Sequence, residues 1–282
     1  MPDRWATWLA ERRFGGNDDA RRESEALFDE FRRRVLDGAR IRPGDTVVDI
    51  GCGEGLIGFG ALELVGDDGT VVFSDISDDV LDVCRRIADG DPRCEFVCAS
   101  ADELPLDEES ADVVTTRSTL IYLDDKARAL HEFFRVLRKG GRMSLFEPVN
   151  SFGWPEPDGV FAGYDVRAVH GIAEKLRGCF GASTLVGWDE RDLLSWVEAA
   201  GFRDVEITLE IEVKAHPMAK TRDWHVFRNF APNPLAPTLQ EAMDERLTPG
   251  EQERFVAHLR PLVEGGEGSY RMASAYVRAL KA

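Results

Sequence analysis

Apolar residues along the chain follow two patterns, short continuous runs and longer stretches with helical spacing. The short runs have the length and composition of buried strands in a parallel sheet, and they lie at residues 47–50, 70–74, 94–99, 112–116 and 143–146. Helical periodicity follows several of them, from residue 56 and at 78–88, 124–137 and 189–201. This alternation predicts an α/β protein with a mostly parallel sheet. Two later strands are predicted at 204–214 and 269–280.

A glycine-rich turn joins the first strand to the first helix, in the sequence TVVDIGCGEGLIGFGA at residues 46–61. Gly51, Gly53 and Gly55 let the backbone pass close to a ligand, whose polar groups then face free N–H groups at the helix start. Asp49 interrupts the apolar run and needs a local hydrogen-bonding partner. The stretch therefore predicts a site for an adenosine-containing cofactor.

Two families use such a turn. Gly53-x-Gly55-x-x-Gly58 satisfies the dinucleotide-binding pattern, which is weak by itself. Asp49-x-Gly51-x-Gly53-x-Gly55 closely resembles the first motif of class I S-adenosylmethionine-dependent methyltransferases, in which the loop lies under the methionine part of the cofactor. The resemblance implies that the cofactor-binding residues include Asp49, Gly51, Cys52, Gly53 and Gly55.

An acidic residue, Asp75, ends the second strand about 20 residues after the glycine turn, with Ile76 beside it. Its carboxylate suits the two ribose hydroxyls of a nucleoside cofactor. NAD enzymes and methyltransferases share this feature, so it does not separate them. The alternative is an N-cap for the helix that follows.

The segment after the third strand adds weight to the methyltransferase resemblance. Ala101-Asp102, then Leu-Pro-Leu, then Ala-Asp-Val-Val is the order typical of that family, as is RVLRKGGRMSLFEP at residues 135–148. The family implies that Asp102 accepts a hydrogen bond from the adenine amino group and that the Ala101 N–H meets a ring nitrogen. A helix cap is the alternative for Asp102. The resemblance covers residues 42–202 and the last strand. It implies a Rossmann-like seven-stranded, mostly parallel sheet with an antiparallel last strand, N-terminal helices and two insertions.

Polar side chains follow the fourth strand at Arg117, Ser118 and Tyr122. Ligands of open parallel sheets lie beyond the carboxyl ends of the strands. These residues are therefore predicted to face either the methionine part of the cofactor or the acceptor, and the sequence leaves that choice open.

Aromatic and polar residues outside the core supply further candidates. Asn150, Trp154 and Trp224 are predicted to contact the substrate, although such aromatic residues also serve to cover a sheet edge. Candidates for a general base are His170, Glu147 and His225, with His216 as a further histidine. Each of them can instead be a hydrogen-bonded structural residue.

The pattern divides the chain into a core and additions to it. We expect a helical lid at residues 1–40, with Trp8, Arg12 or Arg13 facing the ligand, although helices that only pack against the core fit the same periodicity. The cofactor-binding core is predicted at 41–149, continued at 189–214 and completed by the final strand at 269–282. A loop-rich first insertion at 150–188 and a second insertion at 215–268 are predicted to form substrate caps.

Charge and cysteine usage narrow the class of partner. The net charge of −17 argues against nucleic acid and against an anionic membrane surface. The five cysteines form no disulfide framework, and Cys94 and Cys98 on one strand lie about 13 Å apart, so we expect reduced thiols and no metal site. No stretch has the pattern of a signal peptide or a membrane span, so we expect cytoplasmic localisation. A homodimer is allowed by the sequence and specified by nothing in it.

Three functions fit these features. The first is methylation of oxygen, nitrogen or carbon on a small molecule, either a natural product or another metabolite, with S-adenosyl-L-methionine as cofactor. Glu147-Pro148-Val149-Asn150 differs from the N-P-P-aromatic signature of enzymes that methylate amino groups of nucleic acids, which favours a small acceptor. The second is an NAD-dependent oxidoreductase, and the third is a regulatory protein that binds the cofactor without catalysis.

Overall fold

The computed structural model describes residues 2–181, 183–215 and 222–282. Seven strands form one sheet in the order β3-β2-β1-β4-β5-β9-β8. Their bounds are β1 Thr46–Ile50, β2 Thr70–Asp75, β3 Cys94–Cys98, β4 Ala111–Arg117, β5 Leu137–Pro148, β8 Arg203–Ala215 and β9 Ser269–Leu280. Strands β1 to β5 pair in parallel, and β9 runs antiparallel to both β5 and β8. The predicted fold class is confirmed.

Helices cover both faces of the sheet because successive strand residues point to opposite sides. Val47 packs with Val71 and Phe73 against helices α3, Leu56–Leu62, and α4, Asp78–Ala88. Val48 and Ile50 face the other side, where helices α5, Lys126–Val136, and α8, Glu190–Ala199, contribute Leu130, Phe133 and Val197. The runs therefore lack polar alternation, as expected for strands buried on both faces.

The fifth strand begins earlier than residue 143, where the sequence placed its start. Leu137 already pairs with Ala111 of β4, and the Gly140 N–H donates to the Lys281 carbonyl. Gly140 and Gly141, which lie between the predicted helix and the predicted strand, therefore belong to the strand.

Two helices precede the core, as predicted. The first consists of α1, Arg4–Thr7, and a π-helical turn at Trp8–Arg12, and α2 spans Asp18–Ala39 with Asn17 as its N-cap. Helix α2 lies against β5, where Phe31 contacts Phe146 at a centroid distance of 4.3 Å. The Ser144 hydroxyl donates to the Val35 carbonyl at 2.7 Å, which anchors α2 on the sheet.

The first insertion is more regular than the predicted loop. It contains a hairpin of β6, Val160–Phe161, and β7, Tyr164–Asp165, and then helices α6, His170–Arg177, and α7, Ser183–Val186. The Glu156 carboxylate holds the hairpin turn by accepting from the Ala162 and Gly163 N–H groups at 2.8 and 2.7 Å. Each strand of the hairpin has only two residues, so the sequence contains no apolar periodicity that would predict it.

The second insertion is helical, and it shares a core with the first. Its helices are α9, Trp224–Asn229, α10, Leu239–Arg246, and α11, Pro249–Gly265. Phe161 and Tyr164 of the hairpin pack against Phe227 and Phe255 of these helices. The two insertions thus form one packed unit, which we call the cap. Within the part of the chain that the structure describes, no helix is long and apolar enough to cross a membrane.

Candidate active site

One large cavity, about 1020 Å³ in volume, lies at the carboxyl ends of the parallel strands. Its wall includes the glycine loop, the first N-terminal helix and both parts of the cap. This is the place where open parallel sheets bind their ligands. The cavity therefore defines the candidate site.

The glycine loop bends through backbone angles that favour glycine. Gly51, Gly53 and Gly55 have φ values of +64°, +54° and +83°. A Cβ on Gly51 would lie 2.2 Å from the Thr119 hydroxyl oxygen, whereas a Cβ on Gly53 would meet no atom within 4 Å. Gly51 and Gly53 line the cavity, and Gly55 is the N-cap of α3. The loop thus offers a bare backbone surface to a ligand.

Asp49 lies beneath the loop rather than at the cavity wall. Its two carboxylate oxygens accept from the Thr115 hydroxyl and the Gly58 N–H, each at 2.9 Å. Burial raises the pKa of Asp49 to about 7, although both hydrogen bonds act in the opposite direction. The residue that the family resemblance marked as cofactor-binding therefore supports the loop from below. Cys52 is buried beside it and does not line the cavity.

Asp75 lies at the cavity wall, next to the loop. One carboxylate oxygen accepts from the Gly53 N–H and the other from the Ser77 N–H, both at 3.0 Å. Burial raises the pKa of Asp75. A carboxylate has about four acceptor positions, so two remain for ligand hydroxyls. The N-cap of α4 is Ser77, which rules out the N-cap alternative for Asp75.

The expected adenine end of the site has apolar side chains in its wall. Ile76, Val80 and Ala101 line the cavity there, and Ile76 is 55% exposed although it is a large apolar residue. Asp102 lies outside the wall, and its carboxylate accepts from the Ser100 hydroxyl. A bare glycine backbone, a carboxylate with free acceptor positions and an apolar slot together fit an adenosyl cofactor.

Arg117, Ser118 and Tyr122 all line the cavity. Ser118 has a φ of +55°, an uncommon angle for a residue with a side chain, and its N–H donates to the Phe146 carbonyl at 2.8 Å. Arg117 is surrounded by protein, and this burial lowers its pKa even though its side chain faces the cavity. The structure therefore places the Arg117 guanidinium group at the cavity wall. It does not decide whether this group faces the cofactor or the acceptor.

Glu147 holds the turn that carries these residues. Its carboxylate accepts from the N–H groups of Thr119, Leu120 and Ile121 at 2.8, 2.9 and 3.2 Å. It is fully buried, and this burial raises its pKa to about 7. Glu147 does not line the cavity. Its geometry is that of a support, and a catalytic role stays an untested prediction.

The other two candidate bases lie apart from the cavity. His170 is on the surface, where its Nδ1 lies 3.6 Å from Asp158 Oδ1, and the side-chain ligand atoms of Asp158, His170 and Glu174 lie within 4.8 Å of one another. His225 lines a different, open depression of about 640 Å³. His216 falls outside the described residues. The structure therefore does not bring the predicted bases together.

Of the predicted substrate residues, some line the cavity and one lies apart from it. Asn150 and Trp154 line the cavity, and the Asn150 side-chain amide donates to the Leu185 carbonyl at 3.1 Å. Trp224 is buried in the cap core and stacks on Phe227, with a centroid distance of 5.9 Å. Phe227, rather than Trp224, reaches the cavity.

The N-terminal segment forms a large part of the wall. Trp8 and Arg13 face the cavity, whereas Arg12 pairs with Glu241 of the cap. The Trp8 indole N–H donates to the Ala231 carbonyl at 2.9 Å, and the Ala231 N–H donates to the Arg12 carbonyl at 3.0 Å. The first helix is therefore fastened to the cap.

Several lining residues were not singled out by the sequence. They come from the first helix, the hairpin and the last strand: Arg4, Trp5, Glu156, Phe161, Tyr270 and Arg271. For Arg4 and Trp5, the sequence did offer a signal, because aromatic residues stand beside arginines in the first fifteen positions. The others depend on contacts between distant segments.

Comparison with known proteins shows which family this chain resembles. The sequence profile of the ubiE/COQ5 methyltransferase family matches residues 24–155. The chain is 34% identical over 172 residues to a demethylmenaquinone methyltransferase of Clavibacter sepedonicus, covering 58% of this chain and 67% of that protein. It is 33% identical over 172 residues to an arsenite methyltransferase of Halobacterium salinarum, covering 60% and 40%. This chain spans about half, 54%, of the length of several other curated relatives that it matches.

A solved structure resembles the whole fold. A putative methyltransferase from Bacillus halodurans superposes with a TM-score of 0.55 at 22% identity, covering 89% of this chain and 99% of that one. Fold and site thus define a class I S-adenosylmethionine-dependent methyltransferase, as the sequence resemblance implied. More narrowly, the chain belongs to the ubiE/COQ5 methyltransferase family.

Proposed function

We propose that this protein transfers a methyl group from S-adenosylmethionine to a small organic molecule held between the glycine loop and the cap. One observation carries the proposal. A single cavity of about 1020 Å³ includes Gly53 and Asp75 of the core in its wall, together with Trp154, Phe161 and Phe227 of the cap. Pockets for one small ligand measure roughly 300–1,000 Å³. This cavity lies at the upper end of that range, which supports an adenosyl cofactor with a small acceptor beside it.

The residues of the chain act mainly by positioning. When bound, S-adenosylmethionine supplies a methyl group activated by its sulfonium for in-line displacement. Asp75 has free acceptor positions for the ribose hydroxyls, while Ile76 and Ala101 form the apolar wall for the adenine ring. Arg117 and Ser118 lie at the end of β4, beside Gly51. The first helix and the cap form much of the cavity wall, which limits the access of water to the space.

The acceptor side of the cavity favours an aromatic or otherwise apolar molecule. Trp154, Phe161, Phe180, Phe227 and Phe230 line it. The two similar proteins are named for very different acceptors, demethylmenaquinone and arsenite, so family membership does not define the acceptor. The aromatic wall supports an organic acceptor, methylated on oxygen, nitrogen or carbon.

Thermal unfolding with S-adenosylhomocysteine, S-adenosylmethionine and NAD, each added separately, tests the cofactor. A ligand at 100 times its dissociation constant stabilises the native state by about 2.7 kcal/mol, which is easily measured. We expect a shift with the two adenosyl compounds only. A shift with NAD alone would overturn the proposal and favour hydride transfer.

Methyl transfer is then tested with S-adenosylmethionine that carries a labelled methyl group, against fractionated metabolite extracts. We expect label in a small organic product. The matched variants are Asp75→Ala, which alters the site, and Asp82→Ala, an exposed carboxylate on α4 that pairs with Arg85. Cofactor binding without transfer to any fraction would favour the regulatory alternative.

A further inference from the structure

Two arginines of the cavity wall lack an acidic partner. Arg13 of the first helix and Arg117 at the end of β4 both line the cavity, and neither forms an ion pair with any carboxylate of the described residues. Their neighbours in sequence and space do form such pairs, Arg12 with Glu241 and Arg21 with Glu54. Arg4 and Arg271, the other two arginines of the cavity wall, form no ion pair with a carboxylate of the described residues either, so unpaired guanidinium groups are a feature of this wall as a whole.

These two guanidinium groups share an aromatic wall. Arg13 lies 4.5 Å from the ring centroid of Phe28 and 5.2 Å from that of Trp8, while Arg117 lies 5.6 Å from Phe28. The planar guanidinium stacks well on aromatic faces and leaves its N–H groups free at the edge. Both groups are thus held in place with their donors available.

Like charges accumulate at this part of the cavity. Burial, together with the nearby charge of Arg117, lowers the pKa of Arg13 to about 10, although the Glu54 carboxylate acts in the opposite direction. Burial raises the pKa of Tyr122 to about 12, against the opposing effect of both arginines. The Tyr122 phenol therefore lies within electrostatic reach of both guanidinium groups.

The cavity is basic although the protein is acidic. Four arginines line it, Arg4, Arg13, Arg117 and Arg271, against two carboxylates, Asp75 and Glu156, in a chain of net charge −17. Each carboxylate already accepts two backbone N–H groups. Bound S-adenosylmethionine adds a net positive charge, because its sulfonium and ammonium outnumber its carboxylate. Negative charge is therefore missing from the filled site.

We propose that Arg13 and Arg117, together with the Tyr122 hydroxyl, bind an acidic group of the acceptor, so that the acceptor is an aromatic organic acid. This inference rests on the proposed function. A carboxylate between two guanidinium groups forms charge-assisted hydrogen bonds, which are about twice as strong as neutral ones. The aromatic wall of the cap then receives the ring. The carboxylate of the cofactor is a second anionic group that the two arginines could bind. The charge of that carboxylate is already neutralised by the ammonium group of the cofactor.

The test compares aromatic acids with their amides, which match them in shape and lack the charge. The pairs are benzoate with benzamide, cinnamate with cinnamamide and 2-naphthoate with 2-naphthamide. Affinities are measured by calorimetry on the full chain saturated with S-adenosylhomocysteine. We expect at least one acid to bind about tenfold or more tightly than its amide, equivalent to about 1.4 kcal/mol. Equal affinity within all three pairs would overturn the proposal.

Arginine variants assign the effect to the site. Arg13→Gln and Arg117→Gln should each remove the preference for the acid, whereas Arg33→Gln, which removes an exposed charge paired with Glu30 on α2, should retain it. The competing source is tested with S-adenosylhomocysteine and 5′-methylthioadenosine, which lacks the amino-acid part. If the two cavity variants weaken only S-adenosylhomocysteine and keep the acid preference, the arginines bind the cofactor and the proposal is wrong. A wild-type protein that binds no adenosyl compound would instead overturn the proposed function, and the acid–amide comparison, repeated on the chain without added cofactor, would still decide the anion site.

Discussion

The Gly53 N–H donates a hydrogen bond to the Asp75 carboxylate at 3.0 Å. This contact joins the glycine loop after β1 to the end of β2, and it holds the carboxylate at the cavity wall. The second oxygen of Asp75 is fixed in the same way by the Ser77 N–H. The carboxylate is therefore oriented before any ligand arrives, which reduces the entropy lost on binding.

Replacing Asp75 with alanine should weaken binding of S-adenosylhomocysteine by about 100-fold or more. The estimate follows from the loss of two hydrogen bonds to a charged group, each contributing about 1.5–3 kcal/mol. Calorimetric titration measures the change, and Asp82→Ala should bind like the wild type. Unchanged affinity in Asp75→Ala would mean that the ribose lies elsewhere.

The two glycines of the loop should respond differently to alanine. Gly51→Ala places a Cβ 2.2 Å from the Thr119 hydroxyl oxygen at a φ of +64°, so we expect a loss of stability of about 1–3 kcal/mol. Gly53→Ala meets no protein atom within 4 Å and should lose less stability. Its methyl group instead enters the ligand space, so cofactor affinity should fall by about tenfold or more. Urea unfolding and calorimetry separate the two effects, and equal stability losses would contradict this account.

The core of the site follows from local signals in the sequence. Gly51, Gly53 and Gly55 mark a turn that only glycine adopts easily, and Asp75 follows a run of apolar residues that ends at the cavity. A strand, a tight turn and a helix depend on neighbouring residues, so their patterns are visible in one sequence. The seven-stranded, mostly parallel sheet with its antiparallel last strand was available from the family resemblance.

The rest of the site depends on contacts between distant segments. Phe161 and Phe227 line the same cavity only because the two insertions share a core, and sequence spacing does not show that arrangement. Trp224 and Phe227 lie one helical turn apart, and the burial of Trp224 is decided by that core. Asp49 and Glu147 do not line the cavity: Asp49 accepts from the Thr115 hydroxyl and the Gly58 N–H, and Glu147 accepts from three backbone N–H groups. Their roles in cofactor binding and catalysis stay predictions. A sequence shows a polar residue and does not show which donor it meets.

The contact between Trp8 and Ala231 should control access to the cavity. Trp8→Phe keeps an aromatic ring and removes the indole N–H that donates to the Ala231 carbonyl. We expect faster amide hydrogen exchange in residues 4–14, because less free energy then opposes local opening. The matched control is Trp196→Phe on α8, which packs on the core and away from the lid. Unchanged exchange in Trp8→Phe would show that the remaining contacts of the segment suffice.

Burial of the Glu147 carboxyl predicts a pH dependence of stability. The pKa of Glu147 rises from its ordinary value of 4.5 to about 7 in the folded protein. A raised carboxyl pKa means that the folded state binds the proton more tightly than the unfolded state. The contribution of Glu147 to the free energy of unfolding is therefore fully favourable below about pH 4.5. This contribution declines as the pH rises, until the pH passes about 7. We expect Glu147 to lower the stability by roughly 1–3 kcal/mol between pH 4.5 and pH 8.

Glu147→Gln isolates this contribution from those of the other titrating groups. The glutamine cannot ionise, and its carbonyl oxygen can still accept from the Thr119 and Leu120 N–H groups, which Oε1 of Glu147 binds. Urea unfolding at pH 5 and at pH 8 gives the slope for each protein. The variant should lose less stability than the wild type over this interval, even if it is less stable at pH 5 because the Ile121 N–H loses its acceptor. An exposed carboxylate treated in the same way, Glu30→Gln, should leave the fall in stability between pH 5 and pH 8 intact. If stability falls equally between pH 5 and pH 8 in the wild type and in Glu147→Gln, Glu147 stays ionised in the folded protein. The three hydrogen bonds from backbone N–H groups then outweigh the cost of burying the charge.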